Sequence, residues 1–395
     1  MDQIQLFITT FNCGKTVPLS SQFTKSIENS LPDNISDLYV FGFQEISSIL
    51  DCTDSNLVNK HFINVANNLI ECLRNKFQFE LFEIISINHI GSTGIILITP
   101  FLSNINKIYL SNGHPVGFFY TNLKGGIGIR LCYKEIEITF VCMHLNAGEK
   151  IQNLIRRNKD LNNILKNLLF NDGWCVFKPN THCFILGDLN YRSTGAFNFL
   201  RSINSDIEEE DIDLINDNEN NNNINLLKFD ELIILKKHLI IFENFNEAEI
   251  KFPPTYKYIV GTNSLNLKRK PSYCDRILFL DYYNINKKFE YNILDYNIMS
   301  DCLISDHLPV YLLINISNIP PESIISNEGY LTDRSTKLIE TSQRFKNHFY
   351  NKYVLQISSC TTYLLGLLLF LTTTIKGRFI ILSILILAYG IWRWY

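Results

Sequence analysis

Six short segments of this chain each join an apolar run to an acid, an amide or an imidazole. They are TTFNCGK (9–15), FGFQE (41–45), CMHLNAG (142–148), ILGDLNYR (185–192), KPSYCDRILFL (270–280) and SDHLPV (305–310). The apolar runs are rich in β-branched and aromatic residues, which read as buried strands. A rigid sheet can present polar groups on the loops at its strand ends without burying them unpaired. The chain is thereby constrained to a fold in which separate strand ends converge.

The intervening sequence supplies the rest of that fold. LFITTF (6–11) and LYVFGFQE (38–45) read as buried strands, with a helix-capable segment carrying Phe23 and Ile27 between them. Residues 57–74 have apolar positions at helical spacing and predict a covering helix. The runs 77–87 with 93–101, and 126–133 with 136–145, predict two hairpins, the first at a sheet edge. A polar helix is expected over about 148–169, a strand in 183–192, a helix near 228–242, and strands at 276–282 and 308–316. Strands interleaved with helices predict an α/β fold of two packed sheets with helices outside. With 46% hydrophobic residues the chain can fill such a core. Residues 204–225, acidic and asparagine-rich, lack a repeating apolar face and are expected to form a surface insertion.

A net charge of −3 argues against a surface that wraps nucleic acid, and no nucleic-acid or obligate protein partner is expected. The ten cysteines show no CxxC pair and no secretory signal precedes them, so they read as reduced and mostly buried. The Asn-x-Ser sequons at Asn34 and Asn315 are then chance matches.

The C-terminus differs from everything before it. From Tyr353 to Ile375 there is no charged side chain, and after Lys376-Gly377-Arg378 the chain is apolar again to Ile391. The first stretch would be about 34 Å long as a helix, enough to cross a hydrocarbon core. The closing Trp392-Arg393-Trp394-Tyr395 has the composition of an interfacial belt. The expected organisation is a catalytic domain over 1–320, a polar linker over 321–352 and a membrane anchor over 353–395, as one span or a hairpin. A hairpin would bring Lys376 and Arg378 to mid-bilayer at a few kcal/mol each.

The residue types at the strand ends are those a phosphate-cleaving site needs. A hard divalent cation such as Mg²⁺ prefers oxygen ligands, for which Glu45 is the best candidate, with the Asn12 amide oxygen beside it. The equatorial oxygens of a transferring phosphoryl need donors, and a protonated His307, Asn190 and His144 can supply them. An attacking water needs a carboxylate within reach, the role expected of Asp188. An imidazole acts in one orientation, so a second carboxylate, Asp275, is expected to brace His307. Asp306 is expected to turn towards the metal shell or a backbone amide, since consecutive side chains of an extended segment diverge. GDLNYR or Glu45 taken singly would be ordinary; the combination is specific. No cysteine has an arginine six positions later, and no GxxxxGK[ST] run exists, so cysteine-phosphatase and P-loop chemistries are excluded.

Together these motifs resemble the inositol polyphosphate 5-phosphatase family, within the Mg²⁺-dependent superfamily shared with deoxyribonuclease I, abasic-site endonucleases and neutral sphingomyelinases. The likeness spans about residues 4–317. Its most specific parts are GDLNYR (187–192), FPPTYKY (252–258), and PSYCDRIL (271–278) followed by SDHLPV. The resemblance implies a two-sheet α/β sandwich of the deoxyribonuclease I-like type, with Mg²⁺ on Glu45 and the nucleophilic water oriented by Asp188. It also implies phosphate contacts from Asn190 and His307, the latter paired with Asp275, and Asp306 beside metal and phosphate. Recognition of a neighbouring 4-phosphate is implied for Tyr256 and Lys257, with Arg269 or Lys270 behind them; Lys124 and Arg192 are expected to extend this cationic rim.

Three departures stand out: Ser272-Tyr273 replaces the usual Ala-Trp, YTNLKGG replaces MGNKGG, and SDHLP replaces SDHKP. Leu308 is thus expected to remove one cation from the site, Tyr273 to keep an aromatic wall, and Phe118, Phe119 and Tyr120 to touch acyl chains or pack in the core. The implied reaction is Mg²⁺-dependent hydrolysis of the 5-phosphate of phosphatidylinositol 4,5-bisphosphate in a membrane. Members of this shape in fungi are tail-anchored in the endoplasmic reticulum with the catalytic domain facing the cytoplasm. The rivals are a nuclease or sphingomyelinase of the same superfamily, or a membrane scaffold that binds phosphoinositide without cleaving it.

Overall fold

The structure is a computed structural model and describes residues 3–79, 81–194, 196, 199, 226–281, 292–321 and 348–394. Two sheets face one another. In the first, the spatial order is β12 (Asn292–Ile298), β13 (Val310–Ile316), β1 (Ile4–Asn12), β2 (Leu38–Gln44), β4 (Thr93–Thr99) and β3 (Glu83–Ile90). In the second it is β10 (Phe245–Asn246), β11 (Asp275–Leu280), β9 (Thr181–Asp188), β8 (Ile136–His144), β7 (Gly125–Tyr133) and β5 (Ile105–Leu110), with β6 (His114–Pro115) also paired to β7.

The side-chain alternation of a strand explains why the central runs, covered on both faces, are mostly apolar. In β1, Ile4, Leu6 and Ile8 point into the space between the sheets, where they meet Phe140, Phe184, Leu186 and Ile277. Phe7 and Phe11 point the other way, onto the helical layer. That layer is α1 (Ser21–Ser30) and α2 (Ser55–Phe77), the latter burying Val58, Phe62, Val65, Ala66 and Leu69. On the far side, α3 (Ile151–Asn167) and α4 (Glu231–Lys237) cover Val141, Met143 and Ile185 with Leu154, Leu161, Ile164 and Leu235. Each such aliphatic side chain stabilises the fold by about 1.5–3 kcal/mol on burial.

Helix boundaries follow their caps. Asp54 accepts the amides of Asn56 and Leu57 to start α2, and Gln78 in the left-handed region ends it. The expected strand at 77–87 therefore begins only at Glu83. The helix expected near 228–242 shortens to α4, because Leu239, Phe242 and Asn244 all have positive φ. β5 and β12 have no counterpart in the sequence reading; most of their residues are exposed or half-exposed. The 204–225 insertion and residues 322–347 of the linker lie outside the described residues. All ten cysteines are free, and only Cys132 and Cys360 are not buried.

The C-terminal region forms α5 (His348–Thr373) and α6 (Ile375–Trp394). Among the described residues one helix, Asn351–Thr373, is long and apolar enough to cross a membrane. At the join, a Cβ on Gly377 would stand 2.1 Å from the Phe370 carbonyl oxygen, an approach that only glycine allows.

Candidate active site

Register brings the strand-end residues together. Across the second sheet, Gly125 faces His144, His144 faces Asp188, and Asp188 faces Asp275, so one transverse row closes β7, β8, β9 and β11. In the first sheet Asn12 and Gln44 end β1 and β2 side by side, with Glu45 next. Gly187 makes the row possible: its φ is +145°, and a Cβ there would stand 1.9 Å from the Met143 carbonyl oxygen. Two other site residues, Glu45 (φ 49°) and Asn190 (φ 58°), adopt the left-handed backbone that L-residues use sparingly.

The two sheets are stitched at this edge. Asn12 Nδ2 donates to Asp188 Oδ2 at 2.8 Å. Ser305 Oγ donates to the Asn12 carbonyl at 2.7 Å and accepts the His307 amide at 3.2 Å. Asp188 Oδ1 accepts the Asn190 amide at 3.0 Å, while its Oδ2 lies 3.3 Å from His144 Nε2 and 4.0 Å from His307 Nε2. Burial disfavours the Asp188 carboxylate, but the hydrogen bond from His144 and the nearby His307 and Lys124 outweigh it and hold its pKa far below the ordinary value. So weak a base is suited to orienting a water rather than to removing its proton unaided.

His307 is paired with a carboxylate. Its Nδ1 lies 2.8 Å from Asp275 Oδ2, which also accepts Thr255 Oγ1 at 2.7 Å. Burial works against the imidazolium, yet Asp275, with Asp188 and Asp306 behind it, raises the pKa to about 9. His307 is therefore a cationic donor at neutral pH. His144 differs: burial and Lys124 lower its pKa, so it is neutral. Its Nε2 touches Lys124 Nζ and stands 3.8 Å from Glu45 Oε1.

A divalent cation can be held here. Asp188, Asp275 and His307 offer ligand atoms within 4.8 Å of one another. His307 and Asp275 bond each other through Asp275 Oδ2, while Asp275 Oδ1 is buried without a hydrogen-bond partner. Glu45 alone in the cluster presents a carboxylate that accepts no hydrogen bond from any described residue, and its side chain is 28% exposed. Its oxygen chemistry and open lone pairs fit a hard cation, as does the Asn12 amide oxygen, which takes only the Gly14 amide at 3.1 Å.

Beside the cluster lies the cationic rim. Tyr256 packs against two site residues, with its ring centroid 4.5 Å from that of His307 at a tilt and the Arg192 guanidinium 4.4 Å from it. Arg192 also donates to Asn190 Oδ1. Lys257 Nζ is 2.6 Å from Asp306 Oδ2. Asp306 thus faces the rim through this oxygen, and its carboxylate also takes a hydrogen bond from its own backbone amide. Arg269 is near enough to act on Lys257 electrostatically, whereas Lys270 lies over the Phe229 ring at 5.5 Å.

Leu308, which stands where a cation was expected to be lost, is 2% exposed and packs between the sheets. Tyr273 is fully buried, with its ring against Phe252 at 6.2 Å. Two supporting residues were missed, Thr255 and Ser305; both sit inside motifs already quoted, but their role depends on partners remote in sequence.

The fold and this strand-end constellation define a phosphoesterase-type sandwich. Residues 9–313 match the family described as Endonuclease/Exonuclease/phosphatase family 2, and the chain belongs to it. Over 78% of its length the chain is 29% identical to phosphatidylinositol 3,4,5-trisphosphate 5-phosphatase 2A of Danio rerio, covering 24% of that protein. It is 25% identical to phosphatidylinositol 3,4,5-trisphosphate 5-phosphatase 1 of Homo sapiens, again over 78% of this chain and covering 26% of the relative. The chain thus spans about a quarter of the length of these curated relatives. Among solved structures, the inositol polyphosphate 5-phosphatase domain of SPsynaptojanin, in complex with inositol (1,4)-bisphosphate and calcium, shares the fold. It aligns with a TM-score of 0.61 and 22% identity, over 80% of this chain and 84% of that one. A Cimex nitrophorin, solved as a ferrous NO complex, also aligns, with a TM-score of 0.53 and 17% identity over 80% of this chain and 99% of that one. Fold alone therefore does not decide function; the site must.

Proposed function

We propose that the domain is a phosphoinositide 5-phosphatase that converts phosphatidylinositol 4,5-bisphosphate to phosphatidylinositol 4-phosphate and inorganic phosphate. The observation that carries this reading is the single cluster in which Asn12, Asp188 and the His307–Asp275 pair meet beside a lysine-bearing rim. A second substrate phosphate next to the scissile one explains why Lys257 is held there. It exchanges its Asp306 partner for a phosphate, or binds phosphate alongside it.

In this reading Asp188 orients the attacking water, whose oxygen bonds to phosphorus opposite the bond to the inositol C5 oxygen. That bond breaks, and of the water's two protons one ends on the departing oxygen and the other stays on the released phosphate. His307, held cationic by Asp275, donates to an equatorial phosphoryl oxygen, as does Asn190. Glu45 and Asn12 would hold a divalent cation, Mg²⁺ in our reading, which when bound neutralises charge developing on the phosphate. The apolar helix supports a membrane anchor that raises the local concentration of headgroups. By the resemblance stated above, we assign that anchor to the endoplasmic reticulum, with the domain on the cytoplasmic side.

The test is phosphate release by the full chain from vesicles carrying 3-, 4- and 5-phosphorylated phosphoinositides, including the 3,4,5-trisphosphate, with Mg²⁺ or with EDTA. Release confined to 5-phosphates and abolished by EDTA is expected. Equal turnover of positional isomers would remove the specificity, and metal-independent release would remove the mechanism.

A further inference from the structure

The helix α5 is not a free tether. One row of it, Asn351, Val354, Ser358, Thr362 and Gly366, is buried against the catalytic domain. These positions recur every three or four residues and so share one face. Asn351 Nδ2 donates to the Asn167 carbonyl at 2.8 Å, Ser358 Oγ donates to Asn122 Oδ1, and the Asn122 amide donates to Thr362 Oγ1 at 3.1 Å. At Gly366 the approach is so close that a Cβ would stand 2.4 Å from Thr53 Oγ1.

Hydroxyls elsewhere on the same helix provide an internal control. Ser359, Thr361 and Thr373 bond back to the carbonyls of Leu355, Ile357 and Leu369, the way a hydroxyl satisfies itself when no partner faces it. Ser358 and Thr362 instead pair with the domain. The opposite side of the helix is apolar and open, with Tyr353, Tyr363 and Leu364 at 62%, 69% and 60% exposure.

The docked segment packs beside the turn Phe118–Tyr120, where Phe118 and Phe119 are 79% and 70% exposed and Phe119 and Tyr120 both have positive φ. That turn forms one wall of a groove lined also by Val116, Lys124, Arg156 and Lys159. Lys124 is the residue that touches His144, so the groove leads from the helix and the aromatic turn to the cluster.

We infer that α5 is a brace. Its stripe from Asn351 to Gly366 fastens the apolar helix to the catalytic domain, so that its open face and Phe118–Phe119 meet one lipid surface and the groove opens onto it in a fixed orientation. The docked part is about 22 Å long, so the chain that enters the bilayer starts near Leu367, and a full crossing by 353–375 is excluded while the dock holds. The consequence for turnover rests on the phosphoinositide reading; the dock itself does not.

The experiment uses the full chain in phosphatidylcholine vesicles containing phosphatidylinositol 4,5-bisphosphate. In a Cys360→Ser background, the pair Asn122→Cys with Ser358→Cys is expected to form a disulfide under mild oxidant, and the pair Asn122→Cys with Tyr363→Cys is not. Separately, Ser358→Ala with Thr362→Val, which keeps volume and removes the bonds, is expected to lower turnover of vesicle lipid roughly tenfold. Turnover of a soluble dioctanoyl substrate should stay unchanged. Failure of the first pair to link in vesicles, or an unchanged ratio of vesicle to soluble turnover, overturns the brace. A disulfide that forms in a protein unable to cleave any phosphoinositide would leave the brace standing and overturn the functional reading instead.

Discussion

The strand-end cluster and the cationic rim lie next to each other and are built in opposite ways. In the cluster, Asn12, His144, Asp188, Asn190, Asp275 and His307 are all buried, and Asp188 is met from three directions, by Asn12, Asn190 and His144. In the rim Arg192 is buried, but Lys257 and Asp306 keep about a quarter to a third of their side-chain surface exposed (30% and 24%), and Arg269 at 58% has only a loose ion pair with Glu149 at 3.9 Å. A buried, mutually bonded set has one arrangement, because every displacement leaves a polar group unpaired. The half-exposed set can rearrange at little cost. The cluster is thus fitted to one reacting phosphorus, whereas the rim can adapt to what the substrate carries beside it.

The comparison breaks first at Asp188. Asp188→Asn puts an amide among groups that now donate to a carboxylate, and turnover should fall by about 10³-fold or more, within the range for loss of a positioned acid–base group. Phosphate release from vesicles measures it, and near-normal activity would mean that the cluster is not the reacting centre. Next is Glu45→Gln, which keeps the shape and removes the unpartnered charge. It should cost about 10²–10³-fold at limiting Mg²⁺, with part of the loss recovered as the metal is raised. Insensitivity of this variant to metal concentration would move the cation elsewhere in the cluster.

A smaller effect separates the cluster's own members. His307 is protonated below about 9 because Asp275 raises its pKa. In the wild type, kcat/KM should therefore be sustained through neutral pH and fall as pH rises through about 9. Asp275→Asn removes the strongest raising partner, so the fall should move down towards the ordinary imidazole range of about 6.5, with about a 10²-fold loss at pH 8. The sign extends to stability. The pair's contribution is complete below the unfolded imidazole value of 6.5 and fades as pH rises through about 9. A pH profile unmoved by Asp275→Asn would show that His307 is not the donor.

How far this was legible in the letters depended on burial and on reach. β1 could be read because both faces of it are buried, giving a run rich in aliphatic, aromatic and β-branched residues, while NILDYNI of β12 escaped notice because most of it is exposed. The cluster could be read because its chemistry needs particular residue types at strand ends. The partner of Asp306 could not, since a divergent pair fixes which side chain faces away from His307 but not what it meets. Leu308 belongs to the strand read at 308–316: with Val310, Leu312 and Ile314 it keeps a period of two into the inter-sheet core. The hydroxyl partners Thr255 and Ser305 carry no such pattern. They serve through contacts 20 and 293 residues away in sequence.

The smallest expected effects lie in the rim and sharpen the contrast most. Lys257→Met keeps the side-chain length and removes the charge. It should weaken turnover of 4,5-bisphosphorylated lipid about 10- to 100-fold through KM, the worth of one charged hydrogen bond, and leave a substrate without a 4-phosphate almost untouched. Arg269→Ala, more exposed and unpaired except to Glu149, should cost only a few-fold on the same substrate. The pair also bears on the rival diesterases, because a nuclease or sphingomyelinase has no 4-phosphate to recognise and should ignore both changes. If Lys257→Met lowered kcat equally for every substrate, Lys257 would belong with the buried cluster through its bond to Asp306, and the division between a fixed centre and an adaptable rim would have to be redrawn on the near side of Lys257.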